Sequence, residues 1–523
     1  MWGVARVPCD ESVTPSSDRG ACTKIQGRWI LAATILASAM AFIDGTVVNV
    51  ALPALQTSLN ATALDLQWVI EAYSLLLSAF LLIGGSLGDH YGRRRIFVLG
   101  VIIFAAASAA CGLAGTIGQL IAARAVQGFG AALLVPGSLA IISSSFAERD
   151  RGRAIGTWSG FSAITTAIGP VMGGWIIEHF SWRAVFYINV PLACIIVLIS
   201  LRHVPENHER ERTPLDWLGA FLVTAGLTAL IYALIESSRP GFSHNMMLSL
   251  LGIAAVLLVL FFLVESRSSH PMLPLTLFRS RTFTGANLLT FLLYAALGGS
   301  LFFLPLNLIQ VQHYSPAAAG AALFPFIILV SLLSRWAGGL LLNYGARLPL
   351  IIGPVIASLG VALFALPGVG GSYWTTFFPA VSALGLGMAI SITPLTTTVM
   401  NAVSPTHSGI ASGVNNAVAR TAGLVAIAVL GIVMLQVFGN ELDERATRAN
   451  LPSPAVEGLR TQRTRLAGVD LSEGIDSETR TALRTAVNES FVVGFRTVML
   501  VGAALALTSA GAAFALIAPK SSR

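Results

Sequence analysis

The chain has 523 residues, 55% of them hydrophobic and only 11% charged, with a formal net charge of +7 and a mean hydropathy of +0.76. Soluble domains carry about 25% charged residues, so the apolar surface of this chain cannot all be hidden from water and must face lipid. That excludes a soluble globular domain, and the basic charge is not a nucleic-acid footprint until the arginines have been placed.

Residues 1–27 are polar, contain Pro, Ser and mixed charge, and read as a disordered tail. The apolar run after them is long enough to span, so the tail is not a cleavable leader. The four cysteines, Cys9, Cys22, Cys111 and Cys194, have neither metal-ligand nor CxxC spacing and read as free thiols.

A helix crosses the hydrocarbon core with about 20 apolar residues, and only helices or closed barrels can cross it. Fourteen such runs follow one another, at 29–52, 67–88, 95–115, 118–145, 154–178, 184–202, 216–236, 247–265, 283–309, 316–341, 348–368, 373–400, 408–435 and 491–517. They are too long for barrel strands, so the fold class is an all-α integral membrane protein. With the N-terminus inside, the inner loops collect Arg93, Arg94, Arg95, Arg149, Arg151, Arg153, Arg202, Arg210, Arg212, Arg267, Arg279, Arg281 and Arg347, whereas the short outer loops hold only Arg183 and Arg239. This asymmetry sets the orientation, with both termini cytoplasmic. Residues 436–490 form a polar loop on the outer side, and "SETRTALRTAVNES" has the composition to extend the last span outward.

Charges inside spans are expensive and mark function by default. Asp44 lies in "MAFIDGTVVNVALP" of span 1, Glu71 in "LQWVIEAYSLLL" of span 2 and Arg124 in "LIAARAVQGFGAALLVPG" of span 4. At about 1.5 Å per residue they lie roughly 10, 6 and 9 Å below the outer ends of their spans. Two desolvated carboxylates near a guanidinium form a set able to take up and release a proton. The alternative is a static ion pair tying helices together, and Glu71 is shallow enough to snorkel outward. Arg420 lies about 18 Å into span 13, near the midplane, beside Asn415 and Asn416 in "GVNNAVARTAG". It is a candidate for substrate contact or gating.

In span 5, "AIGPVMGGWI" gathers Gly169, Pro170, Gly173 and Gly174 within two turns. Pro170 lacks a backbone donor and the glycines leave a smooth face, so the helix bends at a tight contact. This is either a kinked structural helix or a hinge or seal between moving halves. No P-loop, HExxH or nucleophile–His pairing occurs, so no ATP motor or enzyme site, cofactor or metal is expected.

These motifs together resemble the major facilitator superfamily, in its fourteen-span drug:proton antiporter branch. "GSLGDHYGRRR" resembles the signature loop between spans 2 and 3, at Gly85, Leu87, Asp89, Gly92, Arg93 and Arg94. "RAVQGFGAA" resembles the span-4 motif at Arg124, Gln127 and Gly128, and "GPVMGG" the exporter motif of span 5. "IDGTVVNVALP" resembles the span-1 motif at Asp44, Thr46, Asn49 and Pro53, and "NNAVARTAG" the span-13 motif at Asn416, Arg420 and Gly423. "GGLLLNYGARL" stands where a second copy of the signature loop belongs, with Gly338 and Gly345 in register and Leu342 in place of the acid.

The resemblance implies a major facilitator fold in a 6+2+6 arrangement: a tail at 1–27, a six-helix bundle at 28–205, two inserted helices at 206–276 and a second bundle at 277–523 that carries the 436–490 loop. It implies alternating access by rocking of the two bundles. Proton coupling falls to Asp44, Glu71 and Arg124. A cytoplasmic latch falls to Gly85, Asp89, Gly92, Arg93 and Arg94, in which Asp89 faces the positive N-terminal end of span 13 and pairs with Arg93, while Arg94 and Arg95 touch anionic head groups. Asn49, Gln127, Asn416 and Arg420 fall in the substrate cavity or gate. The implied partners are a hydrophobic small-molecule substrate, protons and lipid, with no nucleic acid; the implied state is a monomer in the bacterial plasma membrane. The implied function is proton-coupled efflux of drugs, dyes or antibiotics, the alternative being a proton symporter that imports a small organic nutrient. Spans 10 and 13 carry Arg335 and Arg420 and no acid, so monovalent cationic, neutral and weakly acidic amphiphiles all remain open as substrates.

Overall fold

The computed structural model describes residues 24–146, 148–206, 216–239, 241–269, 271–403, 408–449, 453–471 and 476–519. All regular structure among them is helical. The first half of the chain holds α1 (Lys24–Leu59), α2 (Ala63–Tyr91), α3 (Arg93–Leu113), α4 (Ile117–Ser145), α5 (Glu148–His179), α6 (Trp182–Tyr187) and α7 (Asn189–His203). An antiparallel pair follows, α8 (Trp217–Glu236) and α9 (His244–Arg267). The second half holds α10 (Arg281–Leu306), α11 (Pro316–Ala321), α12 (Phe324–Tyr344), α13 (Pro349–Leu363), α14 (Tyr373–Thr376), α15 (Phe378–Asn401), α16 (Ser408–Arg448), α17 (Ser453–Thr461) and α18 (Ser477–Leu516).

Twelve helices among the described residues are long and apolar enough to cross a bilayer, against the fourteen expected. Two expected spans fall short of that measure. α13 has 15 residues, and α5 is diluted by glycine, serine, threonine and a charged first turn. Three spans expected as single runs are interrupted. The sixth breaks at Ile188 between α6 and α7, the tenth between α11 and α12, and the twelfth between α14 and α15. α1 opens at Lys24, four residues before the expected boundary at 28, and the remainder of the expected disordered tail lies outside the described residues.

Local chemistry sets the ends. Thr62 accepts from the Asp65 backbone N–H, and Asp65 accepts from that of Thr62, so α2 starts in a capping box. Thr116, Asp216, Ser243 and Asp476 cap α4, α8, α9 and α18 in the simpler way. The turn between α2 and α3 has Gly92 at φ +107°, and the end of α12 has Gly345 at φ +73°. Both positions favour glycine, because a side chain is strained there, and they occupy the same place in the two copies of "G…YG" noted in the sequence.

One apolar cluster fills the second half over its full depth, from Phe283, Leu350 and Val399 to Phe438 and Phe491, and at the 436–490 end it continues into the first half through Leu52 and Leu66. A second cluster, built on Ile30, Met40, Phe97, Leu134 and Ile196, belongs to the first half alone and extends toward the Arg93 end. A third joins α2, α8 and α16 through Leu64, Leu75, Ile231, Ile235, Leu424 and Ala428. Polar contacts between the halves also gather at the 436–490 end. Gln310 Nε2 donates to Gln56 Oε1 at 2.6 Å, and Gln56 Nε2 donates to the Arg465 carbonyl at 2.9 Å.

Residues 436–490 are largely helical. α16 and α18 run past the expected ends of their spans, and α17 and a 3-10 turn at Arg463–Gly468 fold between them. Arg445 bridges the two long helices through Glu441 and Glu489, and Asp443 receives Arg460 and Arg463.

Candidate functional site

Asp44 is the centre of a buried polar network in the first half. Its side chain points from α1 into the bundle and is 1% exposed. Arg124 Nη1, from α4, donates to Asp44 Oδ2 at 2.5 Å. Gln127 Nε2, one turn further along α4, donates to Asp44 Oδ1 at 2.8 Å. Asn189 Nδ2, at the start of α7, donates to the same oxygen at 3.3 Å. Three donors from two further helices thus converge on one carboxylate, an arrangement suited to its ionised form.

Arg124 is equally enclosed, at 1% exposure. Its Nε donates to the Val69 carbonyl of α2 at 3.1 Å, and its Nη1 also donates to Gln127 Oε1 at 2.7 Å. The guanidinium lies 4.2 Å from the centroid of the Tyr73 ring, a cation–π arrangement. The outer layer is neutral: Asn189 Nδ2 donates to Ser108 Oγ at 2.9 Å, Ser108 donates to the Phe186 carbonyl at 2.8 Å, and Cys111 Sγ lies 3.7 Å from Gln127 Oε1. Helices α1, α2, α3, α4 and α7 therefore meet on one charge pair. The sequence pointed to Asp44, Arg124 and Gln127. It missed Asn189, Ser108 and Tyr73, whose only signal was a polar atom inside an apolar run.

Glu71 is not part of this network. It is 0% exposed, and neither carboxylate oxygen has a hydrogen-bond partner among the described residues. The expectation that it lies shallow enough to snorkel is overturned: α2 begins at Ala63, and Glu71 sits two turns inside it, facing protein. A dry, unpartnered site tolerates a neutral carboxyl far better than a carboxylate.

Asn49 stays on its own helix, donating to the Gly45 carbonyl at 3.3 Å. In the second half, Asn415 Nδ2 donates to Thr290 Oγ1 at 2.6 Å and to Asn287 Oδ1 at 3.2 Å, joining α16 to α10. Asn416 donates to the Ser412 carbonyl at 3.0 Å and is exposed. Arg420 is half-buried and makes no hydrogen bond or ion pair among the described residues.

The span-5 motif lies where the halves touch. A Cβ at Gly169 would meet Thr46, and one at Gly173 would meet Val47, both on α1. A Cβ at Gly174 would meet the Pro316 and Ala317 backbone of the second half, and one at Gly320 of α11 would meet the Pro170 carbonyl. Glycine at both positions is what lets α5 and α11 approach backbone to backbone.

At the opposite end, Gly85 packs near Pro136 of α4. Arg94 pairs with Glu206 at 3.4 Å and donates to the Val204 carbonyl at 3.2 Å, and Arg95 approaches Glu206 at 3.6 Å. Both arginines thus have a protein carboxylate within reach, while the Arg95 side chain stays 71% exposed. Arg93 Nη1 donates to the Ala140 carbonyl at 3.5 Å. The Asp89 side chain and the side chains of 404–409 lie outside the described residues, and so does the expected latch contact between them.

Comparison with known proteins agrees with this architecture. The model of the Major Facilitator Superfamily matches residues 34–427. The Multidrug resistance protein Stp of Mycobacterium tuberculosis is 33% identical over 483 residues, which is 91% of this chain and 89% of that protein. The Tetracenomycin C resistance and export protein of Streptomyces glaucescens is 30% identical over 91% of this chain and 88% of its own length. The puromycin resistance protein of Streptomyces alboniger is 34% identical over 82% of this chain and 86% of its own. Among solved structures, a bacterial homologue of the human lysosomal transporter Spinster, inward-facing and unoccupied, superposes with a TM-score of 0.64 at 17% identity, covering 96% of this chain and all of that one. Family match, helical architecture and apolar spans together mark a multi-pass membrane transporter: the chain belongs to the Major Facilitator Superfamily.

Proposed function

We propose that the protein is a proton-coupled antiporter that expels hydrophobic small molecules across the bacterial plasma membrane. The observation that carries this reading is the Asp44–Arg124 pair, a charge pair buried inside lipid-embedded helices and fed by amides from α4 and α7. Relatives named for resistance to and export of antibiotics support the direction of transport. In this reading α5 and α13 also cross the bilayer, which gives fourteen spans as a bundle at 28–205, an inserted pair at 206–276 and a second bundle at 277–523. The Arg93 end is cytoplasmic and the 436–490 end is external. The halves are joined at the external end through Gln56, Gln310 and the α5–α11 contact, and in this reading the pathway between them opens inward.

The mechanism follows from the charge bookkeeping at Asp44. Ionised, the carboxylate holds Arg124, and with it α4, against α1. A proton arriving at Asp44 cancels the charge that Arg124 answers, and the guanidinium falls back on the Val69 carbonyl, Gln127 and the Tyr73 ring. Those contacts are neutral and already made, so protonation leaves a buried cation without its counter-charge, and that cost is what drives the site toward another conformation. Glu71 serves as a second proton carrier, Gly169, Pro170, Gly173 and Gly174 as the external hinge and seal, and Asn49, Gln127, Asn416 and Arg420 as polar contacts on the pathway. Gly85, Asp89, Gly92, Arg93 and Arg94 form the cytoplasmic latch. The protein acts as a monomer with a small-molecule substrate, protons and lipid as its partners.

Dye-loaded cells test the proposal. Expression should speed efflux, and an uncoupler should abolish the effect. Uptake driven by inward protons would instead favour the symporter reading.

A further inference from the structure

Among the described residues, Glu71 and Arg420 are charged side chains inside the spans that make no hydrogen bond or ion pair, and they lie on facing stripes of the two halves. α2 runs from the 436–490 end toward the Arg93 end, and α16 runs back the other way, so the two are antiparallel. They touch at Gln67, whose Nε2 approaches the Ile427 carbonyl at 3.5 Å and whose amide would meet a Cβ at Gly431. Glu71 is one turn along α2 from Gln67, on the same stripe. Arg420, Leu424, Ile427 and Gly431 have the i, i+4, i+7, i+11 spacing of one stripe of α16. Taking Gln67 as level with 427–431, Arg420 lies about 5–10 Å beyond the level of Glu71 along the axis.

Among the described residues, the charged and titratable groups nearest this contact on the elements packed against α2 are answered elsewhere. Asp44 of α1 and Arg124 of α4 hold each other. Cys111 of α3 lies on Gln127. Glu236 of α8 takes Trp68 Nε1 at 2.9 Å and pairs with Arg239, which also donates to Asp65 at 3.1 Å. In the 3-10 turn, Arg463 pairs with Asp443 and Arg465 with Asn60. That leaves Glu71 without a cation and Arg420 without an anion.

We infer that Glu71 and Arg420 form an ion pair between the two halves in the opposite conformation, when the end near Arg93 closes. Facing helices that slide past each other by about one turn, 5.4 Å, bring such a pair within contact. This inference rests on the antiport reading and assigns Arg420 a conformational role within it. A protonated Glu71 cannot make the pair, so proton occupancy of Glu71 selects which conformation is reached. Arg420 is a positioning residue in this scheme rather than a proton carrier.

Charge exchange tests it. Glu71→Arg and Arg420→Glu should each lower dye efflux about tenfold, and the double exchange should recover most of that loss, a coupling that independent sites do not show. A second readout covers variants that fail to reach the membrane. The chain with Glu71→Cys and Arg420→Cys, carrying a protease site within 207–215, is treated in membranes with a short thiol cross-linker and then cleaved. Substrate plus an inward proton gradient should raise the fraction of halves that stay joined, relative to membranes without either and to the chain lacking the two new cysteines. The inference is overturned if the double exchange reaches the membrane without recovery, or if no condition joins the halves. Absence of efflux from the unmodified chain would instead overturn the antiport reading itself.

Discussion

Arg124 Nη1 sits 2.5 Å from Asp44 Oδ2, and each side chain is 1% exposed, so the pair is sealed from both water and lipid. A carboxylate that only anchored helices would be as well served by any buried donor set. This one is answered by a guanidinium that has other partners waiting on α2 and α4. The arrangement is therefore stable with Asp44 charged, and when that charge is removed Arg124 keeps neutral hydrogen bonds but loses its counter-charge.

Breaking the pair from the cationic side should cost stability. Arg124→Ala strands the Asp44 carboxylate with amide donors alone, and loss of one partner from a buried pair costs about 3–5 kcal/mol. Thermal unfolding of the detergent-solubilised protein should show a large fall in the midpoint. An unchanged midpoint would mean that the pair is not formed in the membrane-extracted protein.

Asn189 should matter through orientation. It donates to both Asp44 and Ser108, so Asn189→Leu removes one donor from the carboxylate and leaves Ser108 Oγ without that amide. A buried group that loses its hydrogen bond costs about 1–3 kcal/mol, and efflux should fall while protein levels in the membrane persist. Efflux rates of Asn189→Leu and Asn189→Asp, measured side by side, check this; wild-type rates in both would remove Asn189 from the site.

The contact between the halves makes a steric prediction. A methyl group at Gly174 or Gly320 meets backbone on the partner helix, and backbone cannot swing aside as a flexible side chain can. Gly174→Ala and Gly320→Ala should hold the halves apart at the 436–490 end. Thiol labelling of a cysteine placed at Gln310 should rise in both variants and efflux should drop. Labelling equal to the parent would show that this contact does not close the 436–490 end.

The start of α18 offers a pH test. The Thr479 backbone N–H donates to Asp476 at 2.8 Å and holds its carboxyl below the usual carboxylate range. A group lowered in the folded state adds stability that is present above its unfolded value, about 3.9, and is lost as pH falls through the lower folded value. Hydrogen exchange in the first turn of α18 should accelerate below that range in the parent. Asp476→Ala should exchange fast at every pH, and an equal response in both proteins would contradict the cap.

The helical fold was legible because long apolar runs report lipid-embedded helices directly. Interruptions such as Ile188 and the α11–α12 break were not, because composition continues smoothly across them. Helix in 436–490 was legible only in the segment before span 14; the inward fold of Arg463–Gly468 onto Gln56 depends on contacts more than 400 residues apart in sequence. Asp44 and Arg124 stood out as charges where charge is costly. Asn189 and Ser108 did not, since neutral polar residues in spans more often bond to their own helix, as Ser200 does to Ile196 and Thr224 to Ala220. Glu71 was found as a residue but misjudged in setting: counting from an apolar run at 67 hid the fact that α2 starts at Ala63, which places Glu71 deeper.

The most direct measurement is substrate-driven proton movement in everted membrane vesicles holding a preformed pH gradient. With the unmodified chain, adding a transported dye should dissipate the gradient, and with Asp44→Asn at equal membrane abundance it should not. Dissipation by Asp44→Asn as fast as by the unmodified chain would contradict the claim that a proton is carried at Asp44.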